Sequence, residues 1–153
     1  MLTPNLITQD NLIRVTKIML GDVEVDDKRL KPTNGYRAVH LIVKRQGRLV
    51  EVQVRTRVQH LWAELSEKIS DMYGQGIKYG TGEPWALSFL SDLSTVTAKL
   101  EAIQLEKFRL SVKKISSGRD RKMQKKNKDL NQTERQYFRE VKTLFASIPA
   151  IGK

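Results

Sequence analysis

The 153-residue chain is 39% hydrophobic and 29% charged, enough apolar content for one lean core, or for a small domain with a helical extension. It has no cysteine, which excludes disulfides, thiolate zinc sites and cysteine nucleophiles, and its two histidines, His40 and His60, are too few for a histidine-rich metal site. A net charge of +11 favours polyanions such as nucleotides, nucleic acid or acidic membrane surfaces; with no apolar run of about 18 residues no transmembrane helix is expected, and the partners expected are nucleotides and nucleic acid, with no membrane. The N-terminal MLTPNLITQD has no basic-then-apolar leader pattern, so the cytoplasm is the expected compartment.

Asp10 is placed to cap a helix over residues 11–20, with Leu12, Val15 and Met19 on one stripe and Gly21 at its end. Val23 and Val25 alternate in a short strand. Residues 26–35 are turn-rich, with Pro32, Asn34 and Gly35. Residues 36–44 and 49–56 read as two strands joined at Gln46-Gly47. That turn sets Lys44 opposite Leu49, Ile42 opposite Glu51, His40 opposite Gln53 and Ala38 opposite Arg55. Alternation puts Tyr36, Ala38, His40, Ile42, Glu51, Gln53 and Arg55 on one face. Arg37, Val39, Leu41, Val43, Val50, Val52 and Val54 take the other, which is the expected core face.

Thr56 with Gln59 forms a capping-box pattern for the next helix. Val58, Leu61, Trp62, Leu65, Ile69 and Met72 make its expected core stripe, and residues 57–72 should pack on the valine face. The loop GQGIKYGTG lacks the phosphate-loop pattern and reads as a connector. Pro84 opens a long helix with Ala86, Phe89, Leu93, Val96, Leu100, Ile103 and Leu110 at near-heptad spacing, interrupted at Lys107. Ser116-Ser117-Gly118 should break it, and a last helix over 130–146 offers Leu130, Tyr137, Val141 and Leu144. The expected fold is α+β, a mixed β-sheet flanked by helices, followed by a C-terminal helical hairpin that offers a surface for self-association. Domain boundaries fall at 1–80 and 83–153.

The polar face of the strand pair can be a solvated sheet surface or a site for a charged ligand. In the second case Arg55, with Arg37, Lys31 and Lys44 nearby, supplies phosphate binders. Tyr36 supplies a ring for stacking, and Gln53 and Asn34 supply hydrogen bonds to a base edge or ribose. Glu51 can hold Mg²⁺ or take a proton from a sugar hydroxyl. His60 and Glu64, on the following helix, are as readily structural. From 113 to 128 there are eight Lys or Arg and one acid, Asp120, a stretch that suits either a solvated helix face or a nucleic acid such as tRNA.

Asn34-Gly35-Tyr36-Arg37-Ala38-Val39-His40, then Glu51-Val52-Gln53-Val54-Arg55-Thr56, then Ala63-Glu64 resemble the synthetase domain of the RelA/SpoT family over residues 5–80. The resemblance implies a nucleotidyltransferase-like core that moves pyrophosphate from ATP to the ribose 3′-hydroxyl of GDP or GTP, making (p)ppGpp in the stringent response. It implies that Tyr36 stacks on guanine, that Glu51 is catalytic and tied to Mg²⁺, and that Asn34, His40, Gln53 and Arg55 line the acceptor pocket. A tRNA-modifying relative and a non-catalytic guanine-nucleotide module are the alternatives. The family's Arg-x-Lys and Asp-x-x-Gly-x-Arg segments, which serve the ATP phosphates and metal, are not found before Asn34. Arg14 and Lys17 have the wrong spacing, and Asp26 and Asp27 stand outside that motif. The expectation is therefore an acceptor half whose donor half is missing, as in a fragment, a late start or a decayed copy.

Overall fold

A computed structural model describes residues 1–117 and 121–146, with side chains over 1–113 and 121–144. The chain is α+β, as expected. Its elements are β1 (Leu2–Thr3), α1 (Leu6–Leu20), β2 (Glu24–Asp27), β3 (Val39–Arg45), β4 (Arg48–Thr56), α2 (Arg57–Tyr73), a 3₁₀ turn (Gln75–Tyr79), α3 (Pro84–Ser117) and α4 (Arg121–Ala146). The four strands form one mixed sheet in the order β1-β4-β3-β2, with β1 parallel to β4 and the other pairs antiparallel. Two compact units divide between Ser94 and Thr95, inside α3.

The β3–β4 hairpin has the expected register, Lys44 with Leu49, Ile42 with Glu51 and His40 with Gln53. Gln46 (φ 50°) and Gly47 (φ 78°) both take positive φ, as a two-residue turn matched to strand twist requires. Strand β3 starts later than expected, at Val39. Tyr36 N–H instead donates to Thr33 across a tight turn whose centre is Asn34 (φ 53°) and Gly35 (φ 86°). That turn holds Tyr36 out of the ladder, so the expected pairing of Ala38 with Arg55 gives way. Arg55 is paired with Leu2 of β1.

Val39, Leu41 and Val54 are fully buried, and Leu12, Ile13, Val23 and Val52 pack on them. The valine face is thus covered by α1, not by α2 as the spacing suggested. Coverage fades toward the turn, where Val50 is 45% exposed. Helix α1 also starts earlier than expected. Asn5, not Asp10, is its cap and accepts the Thr8 N–H at 3.0 Å. In α2 the capping box between Thr56 and Gln59 forms as read. Its buried stripe, however, is Gln59, Trp62, Ala63, Ser66, Ile69 and Ser70, while Leu61 and Met72 are about half exposed.

Helix α3 buries all seven apolar positions expected of it, from Ala86 to Leu110. The expected break at Gly118 lies outside the described residues. Helix α4 begins nine residues before the expected start, because 121–129 is rich in Lys, Arg, Gln and Met, which favour helix without an apolar period. Within the second unit α3 and α4 run antiparallel. Lys107 pairs with Glu134, Lys126 with Glu106, and Lys99 sits 5.3 Å from the Tyr137 ring centre. Among the described residues no helix is long and apolar enough to cross a membrane.

A polar cluster unnoticed in the sequence ties α1 to the sheet. Arg29 binds both oxygens of Asp27, and also Asp10 at 2.7 Å and Gln9 at 3.1 Å. Burial alone would push the Asp27 carboxyl up. The Arg29 side chain and backbone N–H, with the charges of Arg29 and Arg37, outweigh this and hold it below the ordinary carboxylate range. A depressed folded-state value means stabilisation that is complete above the unfolded value of about 3.9 and lost as pH falls through the folded one. Asp27→Asn should lower stability at pH 7 by about 1.5 kcal/mol, the low end for a bond to a charged group. The low end applies because the carboxylate side chain keeps 22% of its surface in water. Urea unfolding at pH 7 and pH 3 measures this, and the gap between variant and wild type should shrink at pH 3.

Candidate functional site

The polar face of the hairpin is built by alternation. Directly paired residues share a face, so Asp26, His40 and Gln53 form one row, and Glu24, Ile42 and Glu51 the next. Arg55 lies two residues beyond Gln53 on the same side. Five of the expected site residues meet there in a closed hydrogen-bond ring. Arg55 donates to the Tyr36 hydroxyl from Nε at 3.2 Å and Nη2 at 2.8 Å, and from Nη2 to Gln53 Oε1. The Gln53 amide NH₂ donates to Glu51 Oε1 at 2.7 Å. The Tyr36 hydroxyl is 3.0 Å from His40 Nε2, and His40 Nδ1 is 3.3 Å from Glu51 Oε1.

The Tyr36 hydroxyl also lies 3.4 Å from Gln53 Oε1, so its proton has two acceptors, that oxygen and His40 Nε2. Where it goes to His40, the imidazole proton lies on Nδ1, facing Glu51. Through Gln53 the bonds run with one polarity, from the guanidinium to the carboxylate. The Glu51 side chain is 46% exposed, and no described residue bonds its second oxygen. The Tyr36 ring lies edge-on to His40 and 6.1 Å from Trp62.

The other expected residues are placed apart from the ring. Asn34 sends its amide toward the Lys78 carbonyl at 3.4 Å and borders a cavity of about 230 Å³ with Gly35, Gly80, Leu87, Leu90 and Ser91. Arg37 points to the opposite side of the chain and donates to the Arg29 carbonyl at 3.0 Å. Lys31 is exposed in the loop before the turn. His60 pairs with Glu64 along α2 at 3.3 Å, a contact within one helix. The loop read as a plain connector has a definite task, because Gly80 sits against the Asn34 side chain. Sequence reasoning also missed Trp62 as a wall of the site. Its indole N–H donates to the Leu90 carbonyl at 2.7 Å, and Ser94 donates to the Gly35 carbonyl at 2.6 Å, so both brace the Asn34-Gly35 turn. The signal was there in a tryptophan six residues beyond Thr56, but apolar spacing also accounts for it.

Residues 8–77 match the family model described as "Region found in RelA / SpoT proteins". The matching segment contains the whole ring. Over 55 residues the chain is also 46% identical to the uncharacterized protein Rv1366 of Mycobacterium tuberculosis strain H37Rv and to the uncharacterized protein Mb1401 of Mycobacterium bovis. The aligned stretch is 36% of this chain and 20% of each relative, so the chain spans about a fifth of the length of the curated relatives it matches.

The turn that carries Tyr36 depends on Gly35. A Cβ there would stand 3.0 Å from Trp62 Cζ2, 3.1 Å from Ser94 Cβ and 3.2 Å from the Leu90 carbonyl, at a φ of +86°. Gly21 has positive φ too but open space around it. Gly35→Ala should therefore cost about 2–4 kcal/mol, backbone strain plus overpacking, whereas Gly21→Ala should cost about 1 kcal/mol from strain alone. Urea denaturation of the two variants side by side gives the comparison, and equal losses would mean that the contacts around Gly35 carry no cost.

Proposed function

We propose that the Tyr36–Arg55 face binds the acceptor in pyrophosphate transfer from ATP to the 3′-hydroxyl of GDP or GTP. The observation that carries this reading is the meeting of Tyr36, His40, Glu51, Gln53 and Arg55 in one ring inside the segment that matches the RelA/SpoT family model. Tyr36 stacks on the guanine. Arg55 and Gln53 exchange part of their mutual bonding for the acceptor's phosphate and ribose oxygens. The Glu51 carboxylate, steadied by His40 and Gln53, takes the proton of the 3′-hydroxyl as that oxygen bonds to the β-phosphorus of ATP. The bond from that phosphorus to the α-phosphate oxygen breaks, and AMP leaves.

Mg²⁺ fits this site only as an ion shared with substrate. Among the described residues no group of three His, Cys, Asp or Glu gathers to cage a metal. The second oxygen of Glu51 is a single carboxylate ligand of the sort Mg²⁺ takes together with phosphates and water. When bound, the ion would neutralise charge on the donor phosphates.

A non-catalytic guanine-nucleotide module is the second reading, and one placement favours it. Arg14 and Lys17 lie on α1, which covers the valine face, so neither reaches the polar face to serve donor phosphates. This chain alone should accordingly show weak turnover or none.

Calorimetric titration of GDP, with a labelled-ATP transfer assay, tests both readings. Stacking on an aromatic is worth roughly 1–3 kcal/mol, so Tyr36→Ala should weaken GDP binding about tenfold or more. Glu51→Gln keeps shape and hydrogen bonding, so affinity should stay within about threefold while any transfer is abolished. Tyr36→Ala binding like wild type, or no guanine nucleotide bound at millimolar concentration, would refute the pocket.

A further inference from the structure

Helix α4 has two opposed stripes. Leu130, Tyr137, Val141 and Leu144 are half-buried on one side, together with Glu134, which pairs with Lys107 of α3. On the other side, Arg121, Lys125, Lys128, Arg135, Arg139 and Lys142 recur at alternating spacings of three, four and seven, with Gln132 completing the pattern. All seven are exposed, and no acid interrupts them. Among the described residues none of the six cationic side chains makes an ion pair or hydrogen bond, whereas that of Lys126, off this stripe, is paired with Glu106. At 1.5 Å per residue the ridge is roughly 30 Å long. Between Lys128 and Arg139 it borders a concavity of about 660 Å³.

We infer that this ridge is a docking surface for the phosphate backbone of a nucleic acid, bound without base sequence preference. Six uncompensated cations in a line match a regularly charged polyanion better than a compact ligand. The flanking chemistry disfavours an anionic lipid surface. A helix lying in a membrane interface needs an apolar stripe turned to the lipid, and here that stripe is turned to α3. Phe138, half exposed, is the one large apolar side chain beside the ridge, three residues from Arg135 and four from Lys142. A single ring there suits stacking on an unpaired base. Guanidinium and ammonium groups contribute differently, the first by bidentate bonds to phosphate oxygens and the second as point charges. The inference is independent of the nucleotide reading above, since the ridge lies in the second unit.

Fluorescence anisotropy with labelled 20-nucleotide single-stranded RNA, the matching duplex and single-stranded DNA tests it over a salt series. Wild type should bind at least one of these with a log–log salt slope of about −3 to −4. The triple variant Lys128→Gln, Arg135→Gln, Arg139→Gln should keep its helical circular dichroism, lose about tenfold or more in affinity, and reduce the slope by about 2. The control triple Lys17→Gln, Arg48→Gln, Lys68→Gln removes the same charge from exposed positions of the first unit and should stay within about threefold of wild type. Equal loss in both triples would show an effect of net charge alone and overturn the ridge. Binding to phosphatidylserine vesicles without binding to any of the three nucleic acids would overturn it too, as would no binding to any probe at low salt.

Discussion

The buried amide of Gln9 holds the site-bearing strand in place. It lies on α1, fully out of water, and donates both to the Val54 carbonyl at 2.8 Å and to Gln59 Oε1 at 2.9 Å. Gln59 Oε1 in turn accepts the Thr56 N–H at 3.0 Å, and Thr56 caps α2. One amide thus joins the helix on the valine face to the last residues of β4 and the first turn of α2. A buried donor or acceptor left unmade costs about 1–3 kcal/mol. Any shift of β4 against α1 would strand several at once. Arg55 sits between Val54 and Thr56, so its direction follows from this constraint.

The two faces of β4 meet opposite demands. Its inward side chains are apolar and are fixed by packing, with Val54 fully buried beneath α1. Its outward ones have no such cover, and a charged or amide side chain on a bare strand face usually samples several rotamers. Here each outward side chain satisfies the next, and the ring orders them without a ligand. Order of this kind lowers the entropy lost on binding. It also sets a condition on the guest. A ligand that opens the ring must replace the Arg55 to Tyr36 and Gln53 to Glu51 bonds with bonds of similar strength, which favours phosphate and ribose oxygens over apolar groups.

The hairpin was legible because two strong local signals agree: strict alternation from Val39 to Val54, and a Gln-Gly pair whose glycine takes positive φ without strain. Alternation also said which side chains share a face, and so brought the five ring members together before any coordinates. It could not say that they bond in a circle, since that depends on rotamers. Contacts distant in sequence were illegible. Both Asn5 and Asp10 fit a helix cap, and the choice follows from Asp10 being drawn to Arg29 across the loop. On α2 the buried face carries Ala63, Ser66 and Ser70, small residues that permit close approach, while Leu61 and Met72 stay outside. A count of apolar spacing finds Trp62 and Ile69 but sets the rest of the stripe to one side of the buried face. Gln9 gave no signal because a lone glutamine in a polar segment carries no period.

Charge followed a similar division between local and long-range order. The composition gives a net +11 but not its arrangement. Antiparallel pairing of α3 with α4 sets Lys107 against Glu134 and Lys126 against Glu106, so these two acids are taken up inside the hairpin, while Asp129 and Glu140 stay exposed beside the cationic stripe and not on it. The Lys126 ammonium beside Glu106 is the main cause that holds that carboxyl below its usual range, as expected of a pair formed within the fold. The cationic stripe of α4 lies apart from these pairs. Neighbouring cations on it are about 5–10 Å apart along the axis, within a screening length of about 8 Å at physiological salt or close to it. Their fields therefore add rather than act singly. The same helix–helix packing that buries apolar side chains thus decides which charges are left to act at a distance.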